Sequence, residues 1–185
     1  MSDELSQKTC RFDVCCECAV NCCQGAKPPL TAKRKRIIDA YLRKHKISIN
    51  PSFINQTYSF PAFDAQEYCV FHVKKTGKCL VHSVKPETCV AGPVTFDINV
   101  RTGKIEWFLK TAEACSLAKT FHQNQNQNAF QEHFCVAKKK ILRLIRELDA
   151  DALQAILMIE EPRTIKIGED DVPREILKKI SSERS

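Results

Sequence analysis

The chain has 185 residues, 43 % of them apolar and 28 % charged, with a formal charge of +7. That length can bury a real core without covalent staples, and no apolar run approaches the roughly 20 residues that cross a bilayer. The opening Met1-Ser2-Asp3-Glu4 is polar and lacks an apolar leader, so the expected location is the reducing cytoplasm, where the eleven cysteines are thiols or thiolates rather than a disulfide framework.

In chain order, residues 1–14 read as a flexible N-terminus, with Phe12 as an anchor ahead of the first cysteine group. Cys15-Cys16-Glu17-Cys18-Ala19-Val20-Asn21-Cys22-Cys23 then packs five thiols into nine residues, a density that no apolar core calls for. Adjacent cysteines rarely bridge each other, and Cys15-x-x-Cys18 places two thiolates on one turn, the usual bite for zinc or iron. Gly25, Pro28 and Pro29 mark an irregular loop.

Thr31 is a candidate N-cap, and Ile37, Ile38, Tyr41 and Leu42 recur at helical spacing over residues 32–46. Pro51 suggests the first turn of a short second helix that buries Phe53, Ile54 and Tyr58 and ends at Pro61. Residues 69–73 and 79–82 read as two short extended arms around a turn at Gly77, each opening on a cysteine. A helical turn starting at Pro86 carries Cys89.

Residues 94–100 alternate strictly, and Ile105, Trp107 and Leu109 share one face, so Thr102-Gly103 closes a β-hairpin. Helices are predicted over residues 111–122 and 129–148, the second with the stripe Phe130, Phe134, Ile141, Leu144, Ile145 and Leu148. The run 123–128 reads as a loop. Leu153, Ile156, Leu157 and Ile159 mark a further helix, residues 164–167 a short strand, and residues 172–180 a last helix with Pro173 near its start.

These elements predict an α+β fold: an irregular cysteine-rich metal-binding half with short strands, one β-hairpin, and a helical C-terminal part. The expected division is residues 15–110 for the cysteine-cluster region with its hairpin and 111–185 for a helical region packed on it.

Cys69, Cys79 and Cys89 stand ten residues apart in turn-rich segments able to fold back on the N-terminal group. With Cys15, Cys18, Cys22 and Cys23 they make seven candidate ligands, and Cys16 makes an eighth. Such a set suits two tetrahedral zinc ions, one iron–sulfur cluster with spare thiols, or a bridged binuclear site. Eight thiolates on two Zn²⁺ would reduce the +7 to about +3, so part of the basic excess balances thiolate charge.

The pattern Phe12-x-x-Cys15-x-x-Cys18-x-x-x-Cys22-Cys23, then Cys69, then Cys79-Leu80-Val81-His82-Ser83-Val84-Lys85-Pro86-Glu87-Thr88-Cys89 resembles the YkgJ-like cysteine-cluster family. Its pattern is of the CxxCxxCC type, and it is described as a zinc- or iron-chelating domain. The resemblance covers about residues 12–95. It implies Cys15, Cys18, Cys22, Cys23, Cys69, Cys79 and Cys89 as ligands of zinc or of an iron–sulfur cluster. This sequence departs from the family pattern in the third residue between Cys18 and Cys22, the extra Cys16, His82 in place of the usual aromatic, and Lys85 in place of the usual Arg. Cys16 and His82 are therefore additional candidates. Some relatives resemble iron–sulfur enzymes that methylate protein lysines.

His72 and His82 each follow a cysteine by three residues, but alternation is expected to turn both away from the cysteine side. Cys115 and Cys135 fit helical patterns as small buried thiols. The runs Lys33–Arg36 and Lys138–Lys140 lie opposite apolar stripes and read as solvated helix faces. No acid–base pair, nucleophile triad or phosphate-binding glycine loop is identifiable, so no reaction is assigned.

Three functions are compatible with this set. The first is a metal-binding cysteine-cluster protein, read by preference as an iron–sulfur centre, acting with a protein partner or substrate that the sequence does not identify. The second is a metal-dependent enzyme that modifies a protein in a methylase-like manner, or RNA. The third is a nucleic-acid-associated zinc protein.

Overall fold

A computed structural model describes residues 22–123, 128–160 and 163–181. The readings made above for Phe12, Cys15, Cys16 and Cys18, and for residues 124–127 of the loop, lie outside the described residues. The fold is a mixed α+β arrangement, with six α-helices and seven short strands among the described residues.

Helix α1 (Ala32–Lys44) begins where expected, because the Thr31 side chain accepts from the Arg34 amide at 3.1 Å. Its inner face carries Ile38 and Leu42. Where the sequence suggested a second helix, the chain instead forms a hairpin of β1 (Phe53–Asn55) and β2 (Ser59–Pro61). The spacing of Phe53, Ile54 and Tyr58 fits either structure, and the surroundings decide. Ser59 O accepts from the Leu30 amide at 2.7 Å, and Phe53 meets Phe71 edge-on at 6.1 Å.

The next pair, β3 (His72–Val73) and β4 (Lys78–Cys79), is the expected pair of arms in shorter form. Gly77 supplies the turn from a φ of 66°, a conformation that costs glycine little. The second arm ends early, in a 3₁₀ turn over His82–Val84. Helix α2 (Glu87–Ala91) follows directly on Pro86 and carries Cys89.

Strands β5 (Val94–Asn99) and β6 (Lys104–Lys110) form the predicted hairpin, with Ile105, Trp107 and Leu109 completely buried. β7 (Thr164–Asp171) pairs antiparallel with β6 and runs four residues beyond the expected strand. Its polar end is held by cross-strand partners: Trp107 Nε1 donates to Asp170 at 2.8 Å and Lys104 to Asp171 at 2.7 Å.

Helix α3 (Ser116–Gln123) starts later than expected, because residues 111–115 form a turn tied to Arg163 O through the Thr111 amide at 2.8 Å. Helix α4 (Asn128–Glu147) buries Phe130, His133, Ala137, Ile141, Leu144 and Ile145. Asp149 caps α5 (Ala150–Leu157) by accepting from the Ala152 amide at 2.8 Å, and Ile159 falls beyond the helix and is exposed. Helix α6 (Arg174–Ser181) follows Pro173.

Two large apolar clusters organise these elements, with a smaller third of Leu144, Leu148 and Ala152 between α4 and α5. One joins the β5–β6 hairpin to α3, α4 and α6 around Trp107, Leu109, Ile141 and Ile176. The other packs Ile38 and Leu42 of α1 against Leu30, Phe71 and Val81. Each buried side chain of this size is worth about 1.5–3 kcal/mol of transfer free energy. The second cluster lies directly beneath the cysteine-bearing arms. Among the described residues, no helix is long and apolar enough to cross a membrane.

Candidate metal centre

Backbone pairing fixes the first contact of the site. The Cys69 amide donates to Cys23 O at 2.9 Å, and the Gly25 amide to Glu67 O at 2.9 Å, so residues 23–25 run antiparallel to 67–69. This stitch brings the described end of the N-terminal cysteine group to the first arm. Cys79 is brought there by β3–β4 pairing, which sets it opposite His72. Cys89 arrives on α2.

Both arms use the same local device. Cys69 is followed at the second position by Phe71 and Cys79 by Val81, side chains that are only 1 % and 0 % exposed. Burying these side chains fixes their amides, and each amide donates to the sulfur two residues back, Phe71 to Cys69 and Val81 to Cys79. An N–H···S contact favours the thiolate. The signal was present in sequence as the matching Cys-apolar-apolar-His segments ending at His72 and His82, but spacing alone does not show which amide reaches sulfur.

The five described candidates feel one another's charge. Cys23 donates to Cys22, and this contact, ahead of the attraction of Lys110 and Lys85, lowers Cys22 to about 6 against the opposing effect of burial. Cys23 is held well above the ordinary thiol range by that same donation, by burial, and by repulsion from Cys22, Cys69 and Cys89. Burial pushes Cys69 up to about 11, with Cys79 adding to it. Cys79 is raised by burial and by Cys22, while Lys85 opposes. Cys89 is raised by burial and then by Cys79, Cys69 and Cys22. Cys89 as a residue is nonetheless exposed.

Cys22, Cys23, Cys69, Cys79 and Cys89 therefore form one electrostatic neighbourhood drawn from three segments. Packed thiols that resist joint ionisation fit a bound cation, since a coordinating metal supplies the positive charge that deprotonates them. Among the described residues, no group of three or more His, Cys, Asp or Glu is arranged to hold a metal ion as it stands.

One of the two histidines, His72, differs from expectation. His72 shares a face with Cys79, its cross-strand partner, rather than turning away from the cysteine side, because directly opposed residues point the same way. It stacks on Tyr68 at 5.2 Å, and its Nδ1 is buried without a hydrogen-bond partner. His82 lies exposed in the 3₁₀ turn.

Two further residues, Cys135 and Arg34, lie elsewhere than expected. Cys135 is exposed rather than buried, because the α4 stripe runs through His133 and Ala137 and leaves it on the outer face. Cys115 is half-buried against the core, as expected. Arg34, expected on a solvated face, is buried and donates from Nε to Glu87 at 2.8 Å, tying α1 to the helix of Cys89. Lys33, Arg36, Arg43 and Lys44 do lie exposed on α1.

Comparison with known proteins adds one finding. Searches of curated proteins and of solved structures each returned no match. A family model matches residues 14–136, which extends past the cysteine arms through the β5–β6 hairpin and into α4. Since that match spans well over half of the 185 residues, the chain belongs to the CxxCxxCC family, the "Putative zinc- or iron-chelating domain".

Proposed function

We propose that Cys22, Cys23, Cys69, Cys79 and Cys89, joined by Cys15 and Cys18, hold a thiolate-ligated metal centre, with an iron–sulfur cluster as the favoured form and zinc as the alternative metal. The observation that supports this most is the backbone pairing that carries Cys23 to Cys69, amide to carbonyl at 2.9 Å, on the arm paired with that of Cys79; the thiols of the three segments also act on one another's charge. Four of the five, Cys23, Cys69, Cys79 and Cys89, are made harder to ionise by burial and by neighbouring thiols, a cost that a bound cation would offset. The amide donors at Phe71 and Val81 add to the case, because hydrogen bonds to sulfur are a principal means of tuning a cluster.

When bound, iron–sulfur would supply one-electron chemistry, and zinc a fixed structural tie. The chain's own part is to present sulfur, screen its charge and pin the three segments together. In this reading the centre serves a protein partner or substrate, and no residue is assigned to a chemical step.

The test is purification without oxygen, followed by metal quantification and an absorption spectrum. Stoichiometric iron with broad visible absorption that bleaches on reduction is expected, and Cys69→Ser with Cys79→Ser should abolish it. Colourless protein with stoichiometric zinc would remove the iron–sulfur form and keep the thiolate centre. Protein with neither metal would overturn the proposal.

A further inference from the structure

Helix α2 has five residues and no side-chain cap at Pro86. A helix that short does not hold itself in water, so its position comes from what it touches. Among the described residues, the buried polar or charged side chains are Thr31, Arg34, Glu87 and His133, and all but Thr31 meet on this helix. At its first residue, Glu87 accepts from Arg34 Nε at 2.8 Å, and Arg34 also donates to Val84 O at 3.3 Å. At its last residue, Ala91 O lies 3.0 Å from His133 Nε2. A carbonyl only accepts, so Nε2 carries the proton. The His133 ring is 2 % exposed and its centroid is 5.2 Å from that of Phe121 on α3. The two ties come from α1 of one large apolar cluster and α4 of the other. Midway between them on α2 stands Cys89, which is exposed.

Buried polar contacts add little net stability over an apolar replacement; what they fix is geometry. Directional bonds at both ends of so short a helix set its translation and its rotation, and with them the place of the Cys89 side chain. We propose that His133 and the Arg34–Glu87 pair are positioning residues for Cys89, holding its helix where that thiol can serve as a metal ligand. This rests on the metal reading above. Both ties act through α2 and neither supplies a ligand. By this account α4, which carries no candidate ligand, helps to decide how firmly metal is kept.

The experiment loads the full chain with Zn²⁺ alone and times metal loss to a chromophoric chelator. Wild type is compared with His133→Leu, His133→Gln, Cys89→Ser, H133L combined with C89S, and the exchange Arg34→Met with Glu87→Leu. Loss should quicken about tenfold in H133L, which cannot donate to Ala91 O. H133Q offers an amide donor at similar reach and should stay close to wild type. C89S should quicken loss at least as much as H133L. Adding H133L to C89S should bring no further change, because a residue that acts through Cys89 then has nothing left to position. The Arg34–Glu87 exchange should also quicken loss, although its metal-free melt stays close to wild type. It carries the test where H133L fails to fold.

Wild-type protein that retains no Zn²⁺ would overturn the metal reading itself. Wild type that holds Zn²⁺ while C89S loses it no faster would remove Cys89 from the ligands, and the positioning role with it. H133L that speeds loss as much in C89S as in wild type would overturn the role and leave the centre intact. So would an Arg34–Glu87 exchange that folds and keeps its metal as long as wild type does.

Discussion

At the scale of single residues, the decisive features are pairs that no local pattern announces. Arg34 and Glu87 form an ion pair with side-chain exposures of 9 % and 2 %, and the second carboxylate oxygen of Glu87 has no hydrogen-bond partner. Such a pair adds little net stability when it is replaced as a whole, but removing one member strands a buried charge. Arg34→Met should therefore destabilise the protein by about 3 kcal/mol in a urea titration. The double change Arg34→Met with Glu87→Leu should recover most of that loss. Equal losses in the single and double variants would mean that packing, not charge, joins α1 to α2. Legibility divides along the same line. The cysteines announce themselves by density, whereas Arg34 reads as one more basic residue in a run until its partner, far along the chain, is seen.

At the scale of elements, sequence reading succeeds where the cause of structure is local. The Thr31 cap, the alternation of Val94–Asn99 and the apolar stripe of α4 each carry their own explanation. It fails where a distant partner decides. Phe53, Ile54 and Tyr58 satisfy a helical spacing, yet residues 53–61 pair as a hairpin beside Leu30 and Phe71. The polar end of β7 has poor strand character and is extended because Lys104 and Trp107 hold it from β6. The caps are local causes that can be tested directly. Asp149→Ala removes the acceptor for the Ala152 amide and should lower stability by about 1 kcal/mol, while Asp149→Asn should be nearly neutral. A loss near zero for the alanine variant in thermal unfolding would show that α5 is held by packing alone.

At the scale of the whole molecule, the two apolar clusters make different demands on the metal. Trp107, Leu109, Ile141 and Ile176 pack with no thiol among the fully buried side chains of their cluster. The cluster of Ile38, Phe71 and Val81 lies under Cys69 and Cys79, and these arms pair over only two residues each. Strands that short are marginal without a tie. Chelator treatment should therefore raise hydrogen exchange in residues 67–91 and at Cys22–Gly25, while β5, β6 and α4 keep their protection. Exchange that rises uniformly, or not at all, would contradict a division of labour between metal and core. This split also shows why the sequence indicates metal chemistry without indicating its use.

The central claim is that sulfur from separate segments surrounds metal, and X-ray absorption at the metal edge tests it most directly. Metal-loaded protein should show a shell of sulfur scatterers at about 2.3 Å, reduced in amplitude in Cys79→Ser and Cys89→Ser. A first shell made of oxygen or nitrogen at about 2.0–2.1 Å, unchanged by those substitutions, would contradict the account.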